Sequence, residues 1–370
     1  MSLPEGPRAR RRYVDWARGL AVLLMLGWHT ADAWTRLGDR HSQAFSWLLI
    51  LGGFAAPLFL WLAGLCVALS ASQKAEAGEP RRDVAAAVCR RGLEIFILAF
   101  LFRLQAFVVS PGNHPVSIFR VDILNVMGLA IVGAGLLWML ATGSTGRAIW
   151  YGALASGIAL MTPIARTTAS VDVLPTWVQW YLRPAGDLTT FTMLPWSGFV
   201  LAGAACGVVL GTSHDIRAEH RTQLAFGLVG AFLVGLGQQL STRPSIYVES
   251  NFWNSSPTWF AMRVGILMIG VAVLHFLVEA GARANLTCRP LERLGRSSLF
   301  VYWLHVELVY GYATWPLRRR LPLWGTLVAF VAFSLLMYGA VVVRNRVGDS
   351  LRLGRRRPAP QTAPRLIVVE

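Results

Sequence analysis

Residues 47–69 read WLLILGGFAAPLFLWLAGLCVAL, a stretch without a single charged side chain. An α-helix rises 1.5 Å per residue, so about 20 apolar residues span a hydrocarbon core of about 30 Å. Backbone amides and carbonyls within lipid must pair inside their own segment, which favours a helix over an open strand. The stretch therefore predicts a transmembrane helix.

Similar apolar runs recur along the chain, and the composition agrees with them. Of the 370 residues, 55% are hydrophobic and only 15% are charged, whereas a soluble domain has about 25% charged residues. Mean hydropathy is +0.49. The predicted fold class is all-α, a polytopic transmembrane bundle of about ten helices. The predicted spans lie near residues 18–35, 47–69, 92–109, 121–141, 148–163, 191–211, 223–240, 258–279, 297–313 and 324–343.

The positive charge of the chain is interpreted as a topology signal. A formal net charge of +16 would suit a nucleic-acid-binding protein, but the arginines lie in short gaps between apolar runs, so no nucleic acid is expected as a partner. Their distribution predicts that both termini are cytoplasmic, with the run 318–320 as the clear exception. We predict one transmembrane domain over residues 1–344 and an Arg/Pro-rich, disordered cytoplasmic tail over 345–370.

Several residues favour structural interpretations. The four cysteines form no close-spaced pair, so neither a redox motif nor a metal site is predicted. Glycines such as Gly198, Gly203 and Gly207 predict close helix packing. Arg263 is expected to reach the membrane surface with its long side chain. His275 is expected to be structural.

The first span carries ionisable residues that a membrane segment rarely tolerates without a function. Arg18 and His29 are eleven positions apart, so they share a helix face at a separation of about 16 Å. Asp32 follows on nearly the same face and can support a protonated imidazole. A histidine capping the helix end is the structural alternative. The arginines, the apolar run and the Ala-Asp-Ala sequence also imitate a signal peptide, but we expect this segment to be retained.

Two further ionisable residues lie at a similar depth. Arg103 is about eleven residues into the third predicted span, where an ion pair with Glu94 or Asp122 is the structural alternative. His305 lies within the ninth span, where a hydrogen bond to a tyrosine or serine of another helix is the alternative. Both are candidate site residues because buried charges often line a cavity or pathway.

At these residues the chain resembles a known family. Asp15-Trp-Ala-Arg18-Gly19-Leu-Ala, followed by His29 and Asp32, resembles the opening of the bacterial heparan-alpha-glucosaminide N-acetyltransferase-like family, within the wider membrane acyltransferases. The stretches 56–64, 194–198 and 294–305 are also similar to that family, in the same order. The order and spacing of these motifs extend over nearly the whole chain.

The resemblance implies an enzyme that moves an acetyl group from cytoplasmic acetyl-CoA to a glycan or lipid-linked sugar on the far side. It implies that His29 is the catalytic histidine, with Arg18 as its motif partner and Asp32 at a family acidic position. The histidine acts either as a general base or as a covalent acyl carrier. Candidate residues for binding acetyl-CoA are Arg103, His305, Arg81, Arg82, Arg90 and Arg91, the last four because phosphates need cationic partners.

Other functions remain open at this point. A transporter or lipid-linked sugar flippase without catalysis would use the same buried charges as a permeation path or proton relay. An inactive scaffold or sensor is a third reading. For each of them we expect a multi-pass protein of the bacterial inner membrane, in contact with lipids, and a homodimer is one option for its assembly.

Overall fold

The computed structural model describes residues 10–109 and 114–355, with side chains up to residue 350. Helices make up 82% of it, and no strand occurs in the described ranges, which confirms the all-α prediction. The helices are α1 (Arg12–Trp34), α2 (Gln43–Gly52), α3 (Ala55–Glu76), α4 (Arg81–Val109), α5 (Ile123–Leu140), α6 (Gly143–Thr167), α7 (Thr176–Leu182), α8 (Met193–Gly211), α9 (Ile216–Ser241), α10 (Pro257–Arg283), α11 (Arg289–Arg296), α12 (Ser298–Tyr310) and α13 (Leu323–Arg355).

Eight segments of the described chain are long and apolar enough to cross a membrane: α2 with α3, then α4, α5, α6, α8, α9, α10 and α13. The other two predicted spans correspond to α1, which carries several charged residues, and to α12, which has only 13 residues. The protein is therefore a multi-pass integral membrane protein. The orientation of its termini stays a prediction. The predicted tail begins inside α13, and its residues 356–370 lie outside the described part of the chain.

The apolar stretch 47–69 forms two helices, where the sequence predicted one. α2 ends at Gly52 and α3 begins at Ala55. The intervening turn leaves the carbonyl of Gly53 free to accept a hydrogen bond from Arg263 of α10. The Arg263 guanidinium also lies over the rings of Phe54 and Trp259, at 4.6 and 4.5 Å. Arg263 is only 7% exposed, so the expectation that it reaches the membrane surface is wrong.

Within the described residues, α1 packs against six other helices of the bundle. It contacts α2, α3, α10, α11, α12 and α13. Gly19 lies so close to α11 that a Cβ there would come within 2.2 Å of the Leu291 carbonyl oxygen, and a Cβ on Gly295 would come within 2.0 Å of the Asp15 carbonyl oxygen. Asp15 also pairs with Arg296 at 3.2 Å. Residues of the first and last family-like motifs therefore pack directly against each other.

Close packing also joins α3 and α8. A Cβ on Gly203 would lie 1.8 Å from the Trp61 carbonyl oxygen, and one on Gly64 would lie 1.8 Å from the Val200 carbonyl oxygen. Gly207 approaches α3 in the same way. Small residues let helix backbones approach closely in a membrane, where lipid provides little hydrophobic drive for association. The packing role predicted for Gly203 and Gly207 is confirmed, and Gly198 is also closely packed, since a Cβ there would lie 3.0 Å from the Phe260 ring.

Candidate active site

The last turns of α1 and α12 bring three polar side chains into one chain of hydrogen bonds. Nδ1 of His29 lies 2.9 Å from the hydroxyl of Tyr310, and that hydroxyl donates to Oδ2 of Asp32 at 3.0 Å. Arg40 pairs with the same carboxylate through Oδ1 at 3.1 Å. His29 and Asp32 are three positions apart in α1, so both side chains face Tyr310 from adjacent helical turns.

This network fixes the tautomer of neutral His29. A phenol has one proton, and Tyr310 donates it to the carboxylate of Asp32. The phenol oxygen must then accept a hydrogen bond from Nδ1 of His29, so Nδ1 carries the proton. Nε2 keeps its lone pair, and this is the nitrogen that can take a proton or attack an electrophile. The carboxylate, acting through Tyr310, stabilises the imidazolium that forms when Nε2 is protonated.

A second imidazole lies beside the first. The rings of His305 and His29 are 5.1 Å apart between centroids, and His305 is completely buried. Nδ1 of His305 lies 2.9 Å from the carbonyl oxygen of Val301, which can only accept, so Nδ1 carries its proton. Nε2 of His305 has no hydrogen-bond partner among the described residues. The sequence-based alternative, a bond from His305 to a tyrosine or serine of another helix, is wrong.

Charged residues from α4 and the loop before α5 complete this cluster. Arg103 forms an ion pair with Asp122, as its structural alternative predicted, and Asp122 interacts electrostatically with both His29 and Tyr302. Arg120 donates from Nε to Thr190 Oγ1 at 3.0 Å. Burial lowers the pKa of Arg120, and repulsion from Arg103 lowers this pKa further. The two guanidiniums flank one carboxylate next to the histidine pair.

Space beside the network is limited. A cavity of about 50 Å³ is lined by Asp32, Tyr310 and residues of the segment after α12. The Asp32 side chain is 44% exposed, so water reaches this end of the hydrogen-bond chain. Ligand pockets measure about 300–1,000 Å³. A sugar-sized ligand at this position requires the segments that line the cavity to move apart.

The remaining sequence-predicted site residues lie elsewhere. Arg18 donates to Ser298 Oγ at 3.0 Å and is about 16 Å from His29 along α1, so the two do not meet. Arg91 pairs with Glu94 at 3.1 Å on an exposed surface. It is about 18 Å along α4 from Arg103. The arginines near the start of α4 are all exposed: Arg81, Arg82, Arg90 and Arg91.

Two residues of the candidate site were not predicted from the sequence. Tyr310 contacts His29 across 281 positions of sequence, and no local pattern marks it, because tyrosines are ordinary at the ends of membrane helices. Arg120 had only one signal, its proximity in sequence to Asp122. Asp122 was considered only as a partner for Arg103.

Comparison with known proteins places the chain in a family. The family model described as heparan-alpha-glucosaminide N-acetyltransferase, catalytic, matches residues 10–247. The match includes the His29 end of α1, Arg103 and Asp122, and it stops before α12. A search of curated proteins returned no significant match. Because the matched segment covers more than half of the chain, the protein belongs to the heparan-alpha-glucosaminide N-acetyltransferase family and is an acetyltransferase of that family.

Proposed function

We propose that the protein transfers an acetyl group from cytoplasmic acetyl-CoA to a sugar or glycan acceptor on the outer side of the bacterial inner membrane, with His29 at the reacting centre. The observation that carries this proposal is the His29–Tyr310–Asp32 chain, which leaves Nε2 of His29 with a free lone pair. A thioester is already activated, so the enzyme mainly has to supply a base and exclude water.

In the direct route, Nε2 of His29 removes a proton from the acceptor hydroxyl or amine as that group attacks the thioester carbonyl carbon. The carbon–sulfur bond breaks, and the imidazolium returns the proton to the CoA thiolate. Tyr310 and Asp32 stabilise the imidazolium in between, as the carboxylate of a catalytic triad does. In this route the acetyl group ends on the acceptor and the proton of the acceptor ends on the CoA thiol, so no metal ion or redox partner is required.

In the covalent route, Nε2 of His29 attacks the thioester carbon, the carbon–sulfur bond breaks, and the CoA thiolate takes a proton from water. The acceptor then attacks the acetyl carbon, the carbon–nitrogen bond breaks, and the proton of the acceptor passes through Nε2 to the hydroxide left by the first step. His305 lies close enough to assist either step as a second base, since its Nε2 is unprotonated in the neutral ring. Labelled acetyl-CoA added without acceptor distinguishes the routes, because only the covalent route labels the protein.

The assay for the proposed function uses the purified full-length chain in detergent or nanodiscs with labelled acetyl-CoA and a panel of hexosamines and polysaccharides. We expect release of CoA thiol that depends on the acceptor, together with label in the sugar product. A transporter or flippase predicts neither. Intact folded protein that moves no acetyl group to any acceptor, and releases no CoA, would contradict the proposal.

Replacing Tyr310 by phenylalanine tests the hydrogen-bond chain. The variant removes only the hydroxyl that joins Nδ1 of His29 to Asp32, so His29 keeps its place but loses its orientation and support. We expect kcat to fall about 10- to 100-fold, while KM for acetyl-CoA changes little. Steady-state kinetics measure both values.

The matched control is Tyr312→Phe, which makes the same chemical change at an exposed position two residues further on. It should leave kcat unchanged. Asp32→Glu, which preserves the acceptor, should retain more activity than Asp32→Asn. Equal losses in Y310F and Y312F, or a loss that tracks the melting temperature, would assign Tyr310 a purely structural role.

The arginines near the start of α4 are proposed to contact the CoA phosphates. Arg81→Ala and Arg82→Ala should each weaken acetyl-CoA binding about tenfold, because a hydrogen bond to a charged group contributes about 1.5–3 kcal/mol. The loss should appear in KM and not in kcat. Titration calorimetry measures the affinity, with exposed Arg346→Ala as the control. Unchanged affinity in the double variant R81A/R82A would remove these residues from the donor site.

A further inference from the structure

A second cluster of ligating side chains lies at the opposite end of α1 from His29. It contains His220 from α9 with His275 and Glu279 from α10, and their ligating atoms all lie within 4.8 Å of one another. His275 and Glu279 are four positions apart, so they share one helix face. Tyr13, whose ring lies 5.0 Å from that of His275, marks the start of α1, about 24 Å along the helix from His29.

His275 is the unusual member of this cluster. It is 2% exposed, and neither of its ring nitrogens has a hydrogen-bond partner among the described residues. Burying a polar group without a partner costs about 1–3 kcal/mol, so such groups are rare and need a reason. A metal ion satisfies one ring nitrogen directly, and water or a neighbouring acceptor satisfies the other.

The remaining geometry also fits a metal ion. Nε2 of His220 lies 3.5 Å from Oε2 of Glu279, and the His220 and His275 rings are 5.1 Å apart between centroids. Two ligands of a tetrahedral zinc ion, each about 2.0–2.1 Å from it, are about 3.3 Å apart. The distance between the ligating atoms of His220 and Glu279 is therefore close to that of two ligands on one zinc ion. Rotation of the His275 ring brings its nitrogen in as the third ligand.

Neighbouring residues support the charge of such a site. Glu219, next to His220, interacts electrostatically with His275 and accepts a hydrogen bond from the Tyr13 hydroxyl at 2.6 Å. Arg11 pairs with Glu219 at 3.0 Å. Arg283 contacts Glu279 at 3.9 Å, and its side chain is 78% exposed. It can swing into water when a metal ion takes the carboxylate.

We propose that His220, His275 and Glu279 form a binding site for a divalent transition-metal ion of the zinc type, which links α9 to α10 beneath the start of α1. Two imidazoles and one carboxylate are the donor set that suits such ions. Three protein ligands leave a fourth position for water. The site is separate from the reaction at His29 and does not rest on the proposed acetyl transfer.

The experiment uses full-length protein purified with a tag that contains no histidine and stripped with a chelator. Titration with Co²⁺, followed by its visible absorption, should saturate at about one ion per chain in the intensity range of a four-coordinate site, and Zn²⁺ should displace the signal. Zn²⁺ should also raise the melting temperature. His275→Asn and Glu279→Gln should each weaken Co²⁺ binding at least about tenfold.

The control is His214→Asn, since His214 is exposed and lies just before α9; it should bind Co²⁺ as the native protein does. Glu279→Gln preserves shape and keeps the test valid if His275→Asn does not fold, as judged by gel filtration. Two results would overturn the proposal. One is an absence of saturable Co²⁺ absorption in the native protein. The other is unchanged Co²⁺ affinity in folded E279Q, which would show that the three side chains only pack together through ring contacts and an ion pair.

Discussion

Replacing His29 by asparagine is expected to lower acetyl transfer by about 10³-fold, because a positioned general base contributes about 10² to 10⁴. The asparagine amide can still donate to Tyr310, so the hydrogen-bond chain and the fold should survive, but no lone pair remains to take a proton or an acetyl group. The measurement is acceptor-dependent release of CoA thiol per folded protein.

Two comparisons make this result specific. His41→Asn removes an exposed imidazole that follows α1 in sequence and should leave the rate unchanged. Acetyl-CoA affinity should be similar in H29N and the native protein. The donor phosphates are proposed to bind near the start of α4, at the opposite end of that helix from Arg103. Full activity in folded H29N would show that the reacting centre lies elsewhere.

Replacing Gly203 by leucine is expected to prevent assembly of the bundle. A Cβ at Gly203 would lie 1.8 Å from the Trp61 carbonyl oxygen, so α8 must move away from α3 along the contact shared with Gly64. Even Gly203→Ala should destabilise the protein by about 3 kcal/mol, at the upper end for overpacking, because the obstacle is backbone and cannot rotate away. Thermal unfolding in detergent measures the change.

The matched control for this prediction is Gly133→Ala in α5. Gly133 has no atom within 4 Å of its would-be Cβ, so alanine should be neutral or should stabilise the helix by about 0.5–1 kcal/mol. If G203A and G133A unfold at the same temperature, α3 and α8 do not approach as closely as described.

The parts of the fold that the sequence predicted are those that depend on hydropathy and helical period. Eight segments could be found because lipid requires long apolar helices. The break at Gly53 was missed because an uninterrupted apolar run does not reveal where a carbonyl will find a partner. That partner is Arg263, which lies 210 positions away. The span predicted at 297–313 contains α12, which has only 13 residues and is shorter than the length that crosses a membrane of about 30 Å.

Contacts between residues of the candidate site were predictable only within one helix. Positions 29 and 32 share a face because of the helical period, and the structure joins their side chains through Tyr310. Arg18 lies about 16 Å from His29 along the same helix, as the helical period predicted, so its role as the motif partner of His29 stays a prediction. Arg103 and His305 lie near His29, whereas the exposed arginines near the start of α4 do not. Helix packing decides which helix ends come together, and the sequence alone does not show this.

Binding of acetyl-CoA to the purified full-length protein tests the account most directly, since a transporter or flippase has no use for this ligand. Calorimetric titration should show saturable binding at about one molecule per chain, competed by CoA, with label moving to acceptor only when His29 is present. A folded preparation that binds neither acetyl-CoA nor CoA at millimolar ligand would contradict it.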